Sequence, residues 1–559
     1  MTTPTKPRRG DTALAALAGI IAAGVVLGIA ELAGAFFRAS ATPVIALGST
    51  FIDFTPSWMK DFAIETFGTN DKLALLVGMG VTITLLAAVL GGVAYRRWVL
   101  GVAGVLLMGA VIVASVLTRA GASLPDAIPT VVGTAAGLLA LRWLIARLRH
   151  SVAGTAAAGT AASGAAPAGG VTIAAARNDD APVSGAQGPA PAATAATAVR
   201  APGSTSRRGF FAAAGVTAVV AAVAAGGGQL LAGARNNVAA IRDGLSFPAP
   251  ASPAPPLPAG VHPDVEGLTP FITPNPEFYR IDTALSVPQL TTDSWELRVH
   301  GMVEEEFTLT YQDLLDADLI ERRVTLTCVS NPVGGYLAGN AKWLGYPLRE
   351  VLARTKPLDG ADMVLSTSSD GFSASTPLPV LQDERDAILA VAMNDEPLPV
   401  EHGFPVRMVV PGLYGYVSAT KWVVDLEVTR FADKTAYWTD RGWAERGPIK
   451  TMSRVEVPMP FAAVPAGTFT LGGTAWSQQR GISKVEVSLD GGEWQEATLA
   501  AEASVDTWRQ WSHEVTLDAG SHTARTRASD PVDGLQTEER ADTVPDGASG
   551  WQTVQFSAT

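Results

Sequence analysis

The chain has 559 residues, enough for two or three domains, and 47% of them are hydrophobic against 17% charged. A formal net charge of −12 excludes the basic face that a nucleic-acid partner requires. The single cysteine, Cys328, excludes an internal disulfide and any cysteine-rich zinc or iron–sulfur site.

The average composition hides two halves: long uncharged runs up to about Ala234, and ordinary soluble patterning after His262. Four apolar runs come first, Thr12–Phe37, Leu73–Ala94, Trp98–Thr118 and Ala127–Ile145. Each approaches the ~20 residues that cross a ~30 Å hydrocarbon layer as a helix. Glu31 and Arg142 sit near the ends of their runs, where they reach the interface. A cleaved signal peptide is the rival reading of the first run, but the run is too long and three more follow. Residues 1–150 therefore read as a four-span membrane region bound to lipid. Scarce intramembrane charge argues against a transporter, and the lack of histidine in the spans argues against a haem-carrying cytochrome.

Basic residues set the orientation. Lys6, Arg8 and Arg9, then Arg96 and Arg97, then Arg147 and Arg149 fall on one side if the N-terminus is cytoplasmic; the opposite loops hold Arg38, Lys60, Lys72 and Arg119. Residues 151–206 are rich in Ala, Gly, Pro, Ser and Thr, with too few large apolar groups to offset ordering, and read as a disordered linker. Ser206-Arg207-Arg208-Gly209-Phe210-Phe211, followed by an apolar run to Ala234, resembles a twin-arginine export signal placed internally. The alternative is a fifth helix preceded by two ordinary arginines. Either way residues 207–235 make a fifth span, and everything beyond stands outside the cytoplasm, on a multi-pass protein of the plasma membrane.

Residues 236–261 are Pro-rich and read as an extended spacer. From His262 to about residue 452, short strands (Trp295–Gly301, Val324–Cys328, Val406–Val410, Trp422–Thr429) mix with short helices (Tyr311–Asp318, Leu348–Leu352), predicting an α+β domain. From 453 to 559 helical signals fade. Phe469–Ala475, Ser483–Leu489, His513–Leu517 and Thr523–Ala528 read as strands, with a hairpin turn at Asp490-Gly491-Gly492. This predicts an all-β immunoglobulin-like sandwich.

On its own, a lone cysteine reads as a small buried hydrophobe. The motifs around it change that reading. Thr273-Pro274-Asn275-Pro276-Glu277-Phe278-Tyr279-Arg280, Thr325-Leu326-Thr327-Cys328-Val329-Ser330-Asn331 and Trp343-Leu344-Gly345-Tyr346-Pro347-Leu348 follow one another. Met393 to Pro399, Glu401-His402-Gly403-Phe404-Pro405-Val406-Arg407, Val410-Pro411-Gly412 and Lys421-Trp422 come next, then Gly472–Trp476 and Val485–Gly492. This ordered set, from about His262 to the C-terminus, resembles the sulfite oxidase family of molybdopterin-dependent oxidoreductases.

The resemblance implies a molybdenum-molybdopterin cofactor, with Cys328 as metal ligand and catalytic centre; a soft thiolate suits such a metal. It implies cofactor binding by Tyr279, Arg280, Asp370, His402, Arg407, Ala419, Thr420 and Lys421. Arginine gives planar, charge-assisted pairs to the pterin phosphate. It also implies a possible homodimer through the C-terminal domain. The haem domain fused to animal sulfite oxidase is not apparent, so a separate electron carrier or membrane redox partner is expected.

The sequence departs from the pattern for sulfite. Asn331-Pro332-Val333-Gly334-Gly335 carries no arginine, Ile281 and Asp282 stand near the place of another, and Phe372 replaces a tyrosine. The substrate is therefore a small molecule left between a sulfoxide, reduced, and a sulfite-type anion, oxidised. The alternative function is a non-catalytic extracytoplasmic binding protein on a membrane anchor.

Overall fold

The computed structural model describes residues 9–37, 42–55, 59, 66, 71–118, 122–162, 207–235, 238–284 and 286–559. Lys6, Arg8, Arg38, Lys60, Arg119, the linker from 163 on and Ser206 of the double-arginine motif lie outside them. The chain divides into two compact units, one made mainly of the apolar helices and one holding Leu230–Thr559.

In chain order the first helices are α1 (Arg9–Gly34), α2 (Pro43–Phe54), α3 (Asp71–Arg96), α4 (Trp98–Leu117), α5 (Ile128–Ala162) and α6 (Arg207–Arg235). Among the described residues, five stretches are long and apolar enough to cross a membrane: Asp11–Gly34, Ala74–Arg96, Trp98–Leu117, Leu124–His150 and Arg208–Leu231. They agree with the five expected spans. Two details differ. The short apolar α2 was not anticipated, and α5 runs through Ala162, so the residues after His150 continue a helix rather than starting the linker.

Small residues let these helices approach closely. A side chain at Gly19 of α1 would collide with the backbone of Ala87 and Gly91 in α3, and one at Gly91 with Ala15. Gly133 of α5 meets Val26 of α1 in the same way, and Gly28 of α1 meets Ala221 of α6. Backbone approach of this kind, rather than hydrophobic transfer, drives helix association where the surroundings are as apolar as leucine.

The second unit opens with α7 (Val238–Asp243), then β1 (Glu296–Gly301), β2 (Phe307–Thr310), α8 (Tyr311–Leu315), β3 (Ile320–Thr327), β4 (Ala338–Pro347) and α9 (Leu348–Thr355). It continues with β5 (Met363–Ser368), β6 (Ser373–Pro377), α10 (Leu378–Gln382), β7 (Ile388–Met393), β8 (Glu396–Pro397), β9 (Arg407–Val409) and β10 (Val423–Thr429). These strands form two sheets: a mixed one ordered β2-β1-β10-β5-β6, in which β1 and β10 run parallel, and an antiparallel one ordered β3-β4-β7-β8, with β9 on β7. Leu297, Val299, Leu348, Leu389 and Val391 help fill the core around them. Strand β7 is buried at all six positions. Its unbroken apolar run has no period-two alternation, so it was not legible as a strand beforehand.

All-β structure follows: β11 (Met452–Val457), β12 (Ala463–Val464), β13 (Gly467–Trp476), β14 (Lys484–Leu489), β15 (Gln495–Glu496), β16 (Thr498–Leu499), β17 (Arg509–Leu517), β18 (Gly520–Asp530), β19 (Gly534–Leu535) and β20 (Gln552–Ala558). The two sheets, β11-β13-β17-β16 and β12-β20-β18-β14-β15, enclose a core of Leu471, Val485, Trp511, Ala524 and Phe556. Alternation on β18 is strict, each second residue buried, as a half-covered sheet requires. The expected hairpin turn stands between β14 and β15, with Asp490 and Gly491 at positive φ.

The Pro-rich stretch after residue 236 differs from a free spacer. Val238 is buried in the domain core, and Arg242 Nε donates to Leu398 O at 3.0 Å. Ala251 N–H donates to Leu319 O, and Glu321 N–H donates to Ser252 O, both within 2.9 Å. Extended chain thus covers one half of the open edge of β3, an edge that would otherwise invite pairing with other chains.

Candidate functional site

Cys328 follows the last residue of β3, at the start of the loop that returns the chain as β4. The loop is cross-braced. Cys328 N–H donates to Leu337 O at 2.9 Å, Asn331 N–H donates to Cys328 O at 3.1 Å, and Leu337 N–H donates to Asn331 Oδ1 at 2.9 Å. Gly335 N–H closes a turn on Pro332 O. Burial raises the Cys328 thiol above its ordinary range, and hydrogen bonds from the backbone and hydroxyl of Ser330 pull the other way. The Cys328 sulfur is therefore held at a braced strand end with donors beside it.

The thiol lines a cleft that is partly open to solvent. Tyr279, Asp370, His402, Arg407, Ala419 and Lys421 line the same cleft, brought from four separate segments of sequence. Two expected residues do not. Thr420, in the loop before β10, is fully buried: its hydroxyl lies 2.7 Å from Ser366 Oγ of β5 and its carbonyl accepts the Met408 N–H at 2.9 Å. Arg280 points outward, its side chain 40% exposed, and its Nε pairs with Asp282 Oδ2 at 2.7 Å.

One end of the cleft is cationic. Arg407, at the start of β9, is 5% exposed; among the described residues no carboxylate pairs with it, and its acceptors are the backbone carbonyls of His402, Met408 and Ala419. Its guanidinium donates to His402 O at 3.0 Å and lies 5.1 Å from the Trp343 ring centre. Burial lowers it to about 10. Burial, with the charges of Arg407 and Lys421, lowers His402 to about 4, so its ring is neutral at pH 7, and Nε2–H donates to Asn275 O at 3.3 Å. Lys421 Nζ pairs with Asp282 Oδ2 at 3.0 Å, yet burial still lowers it to about 8. A buried guanidinium held only by carbonyls keeps its charge uncompensated, and a bound anion would offset that cost. Gly403, at φ +114°, packs its backbone against both cations: a Cβ there would lie 3.0 Å from that of Arg407 and 3.1 Å from that of Lys421.

The rest of the wall is largely aromatic: Phe278, Phe372, Tyr416, Trp438 and Trp443. Tyr416 and Trp443 lie 5.9 Å apart, as do Phe372 and Tyr437, and Trp438 sits 6.1 Å from Trp443. Trp438 and Trp443 were missed in the sequence; they follow β10 in a stretch without motif or periodicity. Asp370 accepts the Phe372 N–H and contacts Thr283. Burial, then the Cys328 charge, raises the Tyr279 hydroxyl well above its ordinary value, so it is a donor at any working pH.

Among the described residues no three His, Cys, Asp or Glu side chains converge as a metal-ligand set. Cys328 offers one soft ligand, so a metal here must bring others with it. The donor set fits such a group: a thiol at one position, and an unpaired arginine with a lysine and a neutral imidazole for an anion elsewhere in the cleft.

Residues 284–438 match the family model described as an oxidoreductase molybdopterin binding domain. The chain is 31% identical over 313 residues to the mitochondrial sulfite oxidase of Homo sapiens, an alignment covering 47% of this chain and 56% of that protein. It is 28% identical over 333 residues to an inducible NADH nitrate reductase of Glycine max, covering 48% of this chain and 37% of that one. Among solved structures it resembles the sulfane dehydrogenase SoxCD from Paracoccus pantotrophus, at 23% identity and a TM-score of 0.46, over 51% of this chain and 80% of that one. The chain spans about half the length of the curated sulfite oxidases it matches.

Proposed function

We propose, from the premise that this chain belongs to the sulfite oxidase family of molybdopterin-dependent oxidoreductases, that it is a membrane-anchored enzyme of oxygen-atom transfer coupled to two-electron redox. The observation that carries this reading is the shared cleft of the Cys328 thiol and the unpaired, buried Arg407. Cys328 is the metal ligand. Arg407, Lys421 and His402 hold the pterin phosphate, with the backbone at Ala419 contributing, and Tyr279 and Asp370 border the cofactor. When bound, the molybdenum cofactor supplies the two-electron couple and exchanges the oxygen atom. The protein positions it, excludes water with the aromatic wall, and keeps the Tyr279 proton in place as a hydrogen-bond donor.

The substrate is small, and the cleft favours an uncharged oxide such as a sulfoxide over sulfite. No arginine stands in the 329–337 loop, Asp282 is buried beside the cations, and Phe372 and two tryptophans occupy the wall. A dianion entering there would meet ring faces instead of charge-assisted donors. A separate electron carrier closes the cycle. The apolar helices anchor residues 1–150 and 207–235, the double-arginine motif exports the folded domain, and residues 262–559 work outside the cytoplasm of the plasma membrane. Residues 453–559 form an immunoglobulin-like module suited to homodimer formation.

The test is molybdenum analysis of the full chain purified in detergent. Near-stoichiometric metal, lost in a folded Cys328→Ser variant, is expected, together with turnover of sulfoxides over sulfite. A folded, metal-free parent would instead favour a tethered binding protein without catalysis.

A further inference from the structure

Strand β3, which ends one residue before Cys328, lies at the edge of its sheet. The half of that edge nearest the cysteine is paired by the C-terminal sandwich region. Thr325 N–H donates to Asp506 O at 2.9 Å, Gln478 Nε2 donates to Thr325 O at 2.9 Å, and Trp508 N–H donates to Thr325 Oγ1 at 2.8 Å. The loop beyond Cys328 leans on the same region. Gly334 packs against the Gln552 side chain, which is itself bonded to the backbone of Val455 in β11.

The closest brace is Arg454 of β11, 2% exposed. Its Nε and Nη2 both lie 2.7 Å from Glu456 Oε1, and its third arm, Nη1, donates to Gly335 O at 2.8 Å. Rings of Tyr336, Trp476 and Trp508 surround it, each within 5.7 Å. Glu456 also accepts the Thr269 N–H at 3.0 Å and the Thr474 hydroxyl at 2.8 Å. Burial alone would raise the Glu456 carboxyl; the Arg454 charge and these donors outweigh it and hold it below its usual range. A buried ion pair is weak evidence for stability, because apolar replacements often serve as well. Its use here is geometric: a planar cation fixed on two sides presents its third side to one carbonyl of the loop.

We propose that Arg454 is a positioning residue for Cys328: anchored on Glu456 inside the sandwich, it holds the turn at Gly335 and so sets where the thiol stands in the cleft. The inference rests on Cys328 as the metal ligand. It makes the C-terminal region part of the site's support, whatever its role between subunits.

Because Cys328 is the sole cysteine, thiol labelling reports on it alone. The full chain is purified in detergent from molybdate-starved cells and reacted with iodoacetamide. Arg454→Met/Glu456→Gln removes the ion pair while keeping an acceptor for Thr269. It is expected to keep the parental thermal midpoint and to label at least about tenfold faster, as a locally released loop does. Cofactor-loaded, it is expected to shift the thiolate-to-metal absorption band. Arg454→Lys keeps the charge pair and loses the arm to Gly335; it labels at an intermediate rate and decides the matter if the double variant does not fold. Parental labelling rates with an unshifted band would overturn the proposal. Absence of molybdenum from the parent would sink the ligand reading of Cys328 while leaving the labelling comparison intact.

Discussion

Three cationic or polarisable groups, Arg407, Lys421 and His402, share a buried region in which charge is held down by desolvation. His402 carries a folded-state value of about 4 against an ordinary 6.5. As pH falls through that window the unfolded chain takes up the proton first, so stability is complete above about pH 6.5 and is lost toward pH 4. Urea unfolding of the cofactor-free protein between those pH values should show this loss, and His402→Gln should flatten it. A profile unchanged by the substitution would remove His402 from the account. Lys421 titrates near 8, so its charge is present below that pH and lost above it. Calorimetric binding of inorganic pyrophosphate to the cofactor-free protein should weaken as pH rises through about 8, and Lys421→Met should abolish the step. The chemistry of His402 and Arg407 was legible from their place in a contiguous motif. That Arg407 has no acidic partner among the described residues was not, because pairing of a buried group depends on segments distant in sequence.

At the scale of elements, an edge strand carries the key residue, and both halves of its edge are covered by chain outside the sheet. The Pro-rich stretch covers Leu319 to Glu321, and the C-terminal region covers Thr325. Gln478 gives Thr325 O and Thr327 Oγ1 a donor from Nε2, at 2.9 and 3.3 Å. Gln478→Ala leaves those buried acceptors short, at a cost of about 1–3 kcal/mol in urea unfolding; a change within error would show that the edge is held by other means. Gly403→Ala tests the turn between His402 and Arg407. At φ +114° a side chain is strained, and its Cβ crowds both cations. The expected result is a folded protein with little bound molybdenum, while wild-type metal content would count against this part of the cleft. Strands such as β18 were readable from alternation. Strand β7 was not, since full burial erases the pattern, and the docking of residues 238–252 was not, since proline-rich composition says only that a segment is extended.

At the scale of the molecule, apolar helices precede an acidic, β-rich remainder. Five helices have the length and composition to cross a membrane. The full chain should sediment with membranes and resist a carbonate wash. A C-terminal phosphatase fusion that folds only outside the cytoplasm should be active, and Arg207→Lys with Arg208→Lys should silence it. An active fusion in that double variant would exclude export through the arginine pair.

The sequence by itself determined what depends on neighbours along the chain. Uncharged runs of helical length, motif residues on either side of Cys328, and alternation in the last hundred or so residues are local patterns, and local patterns survive without a fold. Tertiary structure decided what depends on approach. Asp282 reaches Lys421 across 139 positions and Arg454 reaches Gly335 across 119. It also decided that Arg280 faces outward, that Thr420 turns into the packing, and that Trp438 and Trp443 wall the cleft. The reason is physical: burial and desolvation are properties of the closed surface around a group, and that surface exists only once segments distant in sequence have packed together.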